Sequence, residues 1–180
     1  MTGLRIIPDP DSFARAEREL SRLAGQTSNL PGALKNIGEA LLRTTRARFS
    51  SRTGPDGAAW PAHAPLTLLT GGRPGNMLRR SGRLYRSINY RVGGSTLTVG
   101  ANAPPYDRVQ QFGATIRPKK GKFLAVPVPA QRGGRNGPSF MFLKKVTIPA
   151  RPYIGFGPKD EAATLREIHA WLAIEGEAQK

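Results

Sequence analysis

The side chains that could do acid–base or nucleophilic chemistry are few in this chain and far apart. Its 180 residues include two histidines, His63 in a proline-rich stretch and His169 near the C-terminus, and between Gly57 and Lys159 a single carboxylate, Asp107. Two-carboxylate catalysis needs a pair held close together, and a triad needs a histidine meeting both a serine and an acid. Nothing in the local sequence around His63, Asp107 or His169 supports either arrangement; His169, two residues before Trp171, reads as a helix-face residue. The chain contains no cysteine, which excludes disulfides, thiolate zinc sites and cysteine nucleophiles. No cluster of three or four His, Asp or Glu offers a metal cage. GPKD at 157–160 and GK at 121–122 lack the other glycine and the hydroxyl residue of a phosphate-cradling GxxxxGK[ST] loop. The expectation is a protein that is not an enzyme and holds no metal or other cofactor.

Charge is the stronger signal. The net charge is +16, and it is unevenly spread. Residues 1–34 carry four basic and four acidic side chains, 35–91 eleven basic and two acidic, 108–151 ten basic and none acidic, and 152–180 three basic and five acidic. A cationic centre between neutral or acidic ends calls for a polyanionic or acidic partner, because a surface built for solubility alone would mix its charges. Arg79, Arg80, Arg83 and Arg86 fall within eight residues. The segment GKFLAVPVPAQRGGRNGPSFMFLKK (121–145) sets Lys122, Arg132, Arg135, Lys144 and Lys145 beside Phe123, Phe140 and Phe142. Cations interleaved with aromatic rings suit nucleic acid, through counterion release and base stacking, and equally suit an acidic protein. No base-reading motif accompanies them.

The elements that must position these residues are legible in outline. Residues 11–24 predict a helix capped by Asp9 or Asp11 and ended by Gly25. Residues 31–49 predict a stronger one, with Pro31 at its first position and Leu34, Ile37, Leu41, Leu42, Thr45 and Phe49 at helical spacing. SSRTGPDGAAWPAHAP reads as a loop, and 51–76 and 129–141 as irregular stretches that become fixed by other chains. Short helical pieces are expected at 67–69 and 78–85. Ser87–Val92 and Thr96–Gly100 predict a hairpin around Gly93–Gly94. A short helix over 104–112 ends at Gly113. Thr115–Arg117 is expected to pair with Lys122–Val128 across PKKG, and Leu143–Ile148 to form a further strand. Pro158 opens a last helix, from Asp160 to about Glu175, with Ala163, Leu165, Ile168, Trp171, Leu172 and Ile174 available for burial.

Helices first, strands in the middle and a helix last predict an α+β fold with a mainly antiparallel sheet. The 21 glycines and 16 prolines, about double the usual share of ~12%, predict long loops on a small core. One domain is expected over 1–180: an N-terminal helical arm (1–30), a core (31–175) and a short tail (176–180). The first thirty residues lack the apolar run of a signal peptide, and no stretch approaches the roughly 18 apolar residues of a membrane span, so no membrane role is expected.

Four stretches, in order over residues 34–175, resemble the phage virion morphogenesis or tail-completion proteins of Mu-like and related tailed phages. They are RARFSSRTGPDGAAWPA (46–62), LRRSGRLYRSI (78–88), VGANAPPYDRVQQFGATI (99–116) and IPARPYIGFGPKDEAATLREIHAWL (148–172). The chain has Asp107 and Gln110 where the family often has alanine and histidine, which fits packing or an interface better than catalysis. The resemblance implies a structural α+β subunit that completes the tail or connects head to tail at the neck. It implies a ring, commonly of six copies, around the DNA channel, and a protein located in the virion after assembly in the host cytoplasm. The implied partners are further copies of itself, neighbouring neck, connector and tail proteins, and DNA in the channel. A basic nucleic-acid-binding protein without catalysis is the alternative.

Within these motifs, Trp60 is a core ring or an interface anchor, with Phe112, Tyr153 and Trp171 as further packing or anchor residues. Gly82 ends or bends a helix. Arg79, Arg80, Arg83, Arg86, Arg132, Arg135, Lys144 and Lys145 form the candidate interface for an acidic partner or DNA. Arg151, between two prolines, either joins that interface by binding carboxylates or bridges internally to the last helix.

Overall fold

The computed structural model describes residue 14, residues 30–70, 77–128 and 139–178, with backbone alone at 174–178. The helix expected at 11–24, the arginines at 132 and 135, the burial of Ile174, and residues 71–76 and 129–138 of the two expected irregular stretches lie outside the described residues. Residues 139–141, expected to be irregular, are instead part of a strand (Ser139–Leu143).

Helix α1 (Leu30–Ser51) is the organising element. Its buried face is Ala33, Leu34, Ile37, Ala40, Leu42, Thr45, Arg48 and Phe49, which follows the helical periodicity of the sequence. Two short helices follow, α2 (Pro65–Leu69) and α3 (Arg83–Ser87), then strands β1 (Ile88–Gly93) and β2 (Thr96–Ala101). Gly82 caps the start of α3 in the left-handed conformation, at φ 69°, so it opens a helix where ending or bending one was expected. Strands β1 and β2 pair antiparallel as expected, with Gly93 opposite Thr96, which places the turn at Gly94 and Ser95. The backbone of α1 comes so close to β1 that a Cβ at Gly38 would lie 2.5 Å from the Tyr90 ring.

Helix α4 (Tyr106–Phe112) ends at Gly113, whose φ of 73° turns the chain into β3 (Ala114–Ile116). Strands β4 (Leu124–Val128), β5 (Ser139–Leu143) and β6 (Val146–Ile148) and helix α5 (Pro158–Ala178) complete the described order. The fold is α+β, with its antiparallel strands in three two-stranded ladders.

Two pairings differ from the sequence expectation. Strand β3 pairs with β6, and β4 with β5; β3 does not pair with β4 across PKKG. The stretch expected as one strand over 143–148 is broken at Lys144 and Lys145, so its two halves join different ladders. The reason is tertiary. Gly113 passes within contact distance of the backbone at Ile148 and Ala150, which delivers β3 alongside β6.

The core gathers Leu42, Phe49, Trp60, Met77, Leu84, Ile88, Ala101, Tyr153 and Ile154. Phe49 is its centre, meeting the rings of Trp60, Tyr85 and Tyr153 edge-on at centroid separations of 5.6, 5.4 and 5.7 Å. Helix α5 packs on α1 through Ala163, Thr164, Ile168 and Trp171. Leu165, expected to be buried, is exposed on its outer side.

Candidate functional site

The segment from Ala150 to Gly157 has few backbone partners of its own, and buried side chains from distant parts of the chain satisfy it. Gln111, on α4, accepts the amides of Tyr153 (3.0 Å) and Ile154 (3.1 Å) at Oε1 and donates Nε2 to the Ile154 carbonyl (2.8 Å). It thereby acts as a strand edge would. The Arg151 amide donates to the Gln110 carbonyl (2.7 Å). From the other side Trp60 Nε1 donates to the Pro152 carbonyl (2.8 Å). Arg48 reaches out of α1 and donates to the carbonyls of Tyr153 (2.9 Å) and Gly155 (3.1 Å) and to the carboxylate of Asp160.

Asp160 sits in the first turn of α5, where its carboxylate also accepts the Gly157 amide (2.9 Å) and the Thr44 hydroxyl. One side chain therefore caps the helix and anchors Arg48. Both buried arginines, Arg48 and Arg151, are pushed below the ordinary guanidinium range by desolvation; at Arg48 the Asp160 charge opposes that. Burial likewise drives the Tyr153 phenol well above its ordinary value, and the Asp107 charge adds to it.

Arg151 is therefore neither an interface residue nor a bridge to α5. It is buried and donates Nε to the Pro61 carbonyl (3.0 Å) and Nη2 to the Ala62 carbonyl (2.8 Å). The internal bridge to the last helix belongs to Arg48. These bonds also fix residues 60–62 within the chain, so this part of 51–76 needs no other chain to order it. Asp56 adds an acceptor for the Ala58 amide, and Thr53 bridges Ala59.

Trp60, Tyr153 and Trp171 are buried, as packing residues. Phe112 is not: it is 60% exposed. The helical phase explains this. Ala103, Asp107 and Gln111 recur every four residues on the inner side, which turns residue 112 outward. That spacing was the available signal for Gln111. For Arg48 the signal was its place on the apolar face of α1, three residues after Thr45 and just before Phe49.

The residues considered for acid–base chemistry take separate roles. Asp107 is buried and accepts the Arg108 amide (2.8 Å), His169 is exposed, and His63 is half-buried with Nε2 unpartnered. Among the described residues no group of three or more His, Asp or Glu is placed to hold a metal ion.

Among the described residues, no carboxylate pairs with Arg79, Arg80, Arg83 or Arg86. The Arg79 guanidinium stacks 4.3 Å from the Tyr85 ring centre, with Arg46 at 5.8 Å. Arg80 donates to the Thr70 carbonyl (3.2 Å) and Arg86 to the Ser81 carbonyl (2.9 Å), while Arg83 is exposed. Lys144 and Lys145 are exposed at the end of β5. The guanidinium of Arg43, by contrast, pairs with Glu167 of α5 at 3.1 Å.

Comparison with known sequences adds one match. The model of the phage virion morphogenesis family covers residues 11–173, almost the whole chain. No curated protein and no solved structure matches it.

Proposed function

Because this chain belongs to the phage virion morphogenesis family, its work lies in building the phage particle, and we propose that it does so at the neck. In this reading it completes the tail or connects head to tail as a ring of subunits, a hexamer, around the DNA channel. Its partners are its own copies and the neighbouring connector and tail proteins, and it performs no catalysis.

The observation that carries the reading is the use made of the four family-like segments. Arg48 and Trp60 come from the first, Leu84 from the second, Gln111 from the third, and Arg151, Tyr153 and Asp160 from the fourth. All converge on one buried node whose polar groups bind backbone or one another. Such a node makes a rigid body, which suits a part that must present fixed surfaces to several neighbours. The exposed Arg80, Arg83 and Arg86, with the half-buried Arg79 beside them, supply a charged surface for acidic neighbours, with DNA phosphate as a secondary contact. Among the described residues no helix is long and apolar enough to cross a membrane.

Replacing those four arginines together by glutamine tests the reading. Infected cells should accumulate filled heads and separate tails, visible by electron microscopy. Normal joining in the variant would remove the role given to this face. The alternative, a nucleic-acid-binding protein, is favoured by the cationic centre alone. It predicts tight duplex binding that survives 200 mM salt, whereas an incidental contact through six to ten phosphates would weaken by roughly 10³–10⁵ between 50 and 200 mM.

A further inference from the structure

The β4–β5 hairpin is apolar on both faces. Its register sets Ala125 opposite Phe142 and Pro127 opposite Phe140, and all four are exposed. Leu124, Val126, Val128, Met141 and Leu143 occupy the other, half-buried face. Phe140 and Phe142 are 51% and 66% exposed, and Phe123, just before β4, is 48% exposed. Scattered exposed rings are ordinary, but two on one two-stranded ladder with a third at the residue before it make a patch of the kind that marks an interface. Lys119, Lys120 and Lys122 before β4 and Lys144 and Lys145 after β5 lie at the end of the ladder where Leu124 meets Leu143, all exposed.

We propose, resting on the neck reading above, that this phenylalanine face docks a different virion protein whose contact surface is an apolar patch rimmed by carboxylates. Among the described residues, a second copy offers no apolar patch rimmed by carboxylates. Among the side chains described, the exposed carboxylates are Glu39, Asp56 and Glu161, which lie on three separate parts of the chain. Glu39 lies close enough to Tyr90 to raise its phenol, and Asp56 holds the Ala58 amide. None of them forms a ring around an apolar patch, and two hairpins stacked face to face would oppose their lysines. Duplex DNA would satisfy the lysines and leave the rings in water. An apolar wedge into a base step belongs at the tip of an arm, whereas Phe142 pairs with Ala125 toward the end of the ladder away from the 129–138 connection.

The absence of cysteine makes the test clean. Ala125→Cys places a sole thiol on the exposed face beside Phe142. The purified variant, carrying a benzophenone maleimide, is added to an infected-cell extract lacking the chain, and the finished particles are irradiated and digested for mass spectrometry. The expected product is a crosslink to another virion protein, within a peptide containing Asp or Glu. A crosslink to a second copy or to DNA, or none in particles that contain the labelled chain, would overturn the proposal. A second, unlabelled variant, Phe140→Ser with Phe142→Ser, should lower incorporation into particles at least about tenfold while its unfolding midpoint stays near that of the wild type. Unchanged incorporation would equally overturn it. A wild-type chain missing from purified particles would instead overturn the neck reading itself.

Discussion

The Arg48 guanidinium and the Asp160 carboxylate lie 112 residues apart in the chain and meet inside the core, where they tie the end of α1 to the start of α5. The pair is almost fully removed from water, at 6% and 1% side-chain exposure. Desolvation of both charges offsets much of their attraction, so the pair contributes little net stability against an apolar replacement, yet breaking it strands a buried charge.

Arg48→Met should therefore cost about 3–5 kcal/mol, and the double variant Arg48→Met with Asp160→Asn should be more stable than Arg48→Met alone. Urea denaturation of the wild type, both single variants and the double variant measures the coupling. Simple additivity would mean that the two charges do not act together.

Gln111 offers a second test. It makes three hydrogen bonds to the backbone of residues 153–154 from a buried position. Gln111→Leu keeps similar volume but orphans two amides and a carbonyl, for an expected loss of about 2–4 kcal/mol. Gln111→Glu keeps the acceptors, loses the donor and buries a carboxylate against the Ile154 carbonyl. Its penalty should shrink as pH falls and the acid protonates, an effect read from unfolding midpoints at pH 5 and pH 8.

Tyr153 predicts an alkaline limit. Its folded phenol titrates above the ordinary value, while in the unfolded chain it ionises near pH 10. The unfolded state thus loses its proton first. The stabilisation is complete below about pH 10 and declines as pH rises toward the folded value. Tyr153→Phe keeps the ring and removes the titration, so its stability should fall less steeply between about pH 10 and 11 than that of the wild type. Parallel curves would count against this assignment.

Close approach of two loops gives the last prediction. A Cβ at Gly157 would lie 1.9 Å from the Pro55 carbonyl oxygen, whereas one at Gly93 meets nothing within 4 Å. Gly157→Ala should destabilise by at least ~2 kcal/mol, because backbone must move. Gly93→Ala should change stability by no more than about 0.5 kcal/mol. Thermal unfolding of the two variants side by side reads the difference.

Local patterns were enough for much of this architecture. The apolar spacing of Leu34, Ile37, Leu42 and Phe49 determined α1, the alternation on either side of Gly93–Gly94 determined the first hairpin, and Pro158 marked the start of α5, because periodicity and turn chemistry are properties of neighbouring residues. The α+β class and the resemblance of residues 46–62, 78–88, 99–116 and 148–172 to one family followed from the sequence as well. Partners far apart in the chain were decided only by the tertiary structure. It sent β3 to β6 and β4 to β5, since strand pairing depends on where helices and glycine turns deliver each segment. It placed Arg151 against Pro61 and Ala62, gave the bridge to Asp160 to Arg48, and turned Phe112 outward so that Gln111 could face in. A charge read from sequence has no depth. Whether an arginine faces solvent or carbonyls is set by what the rest of the chain brings to it.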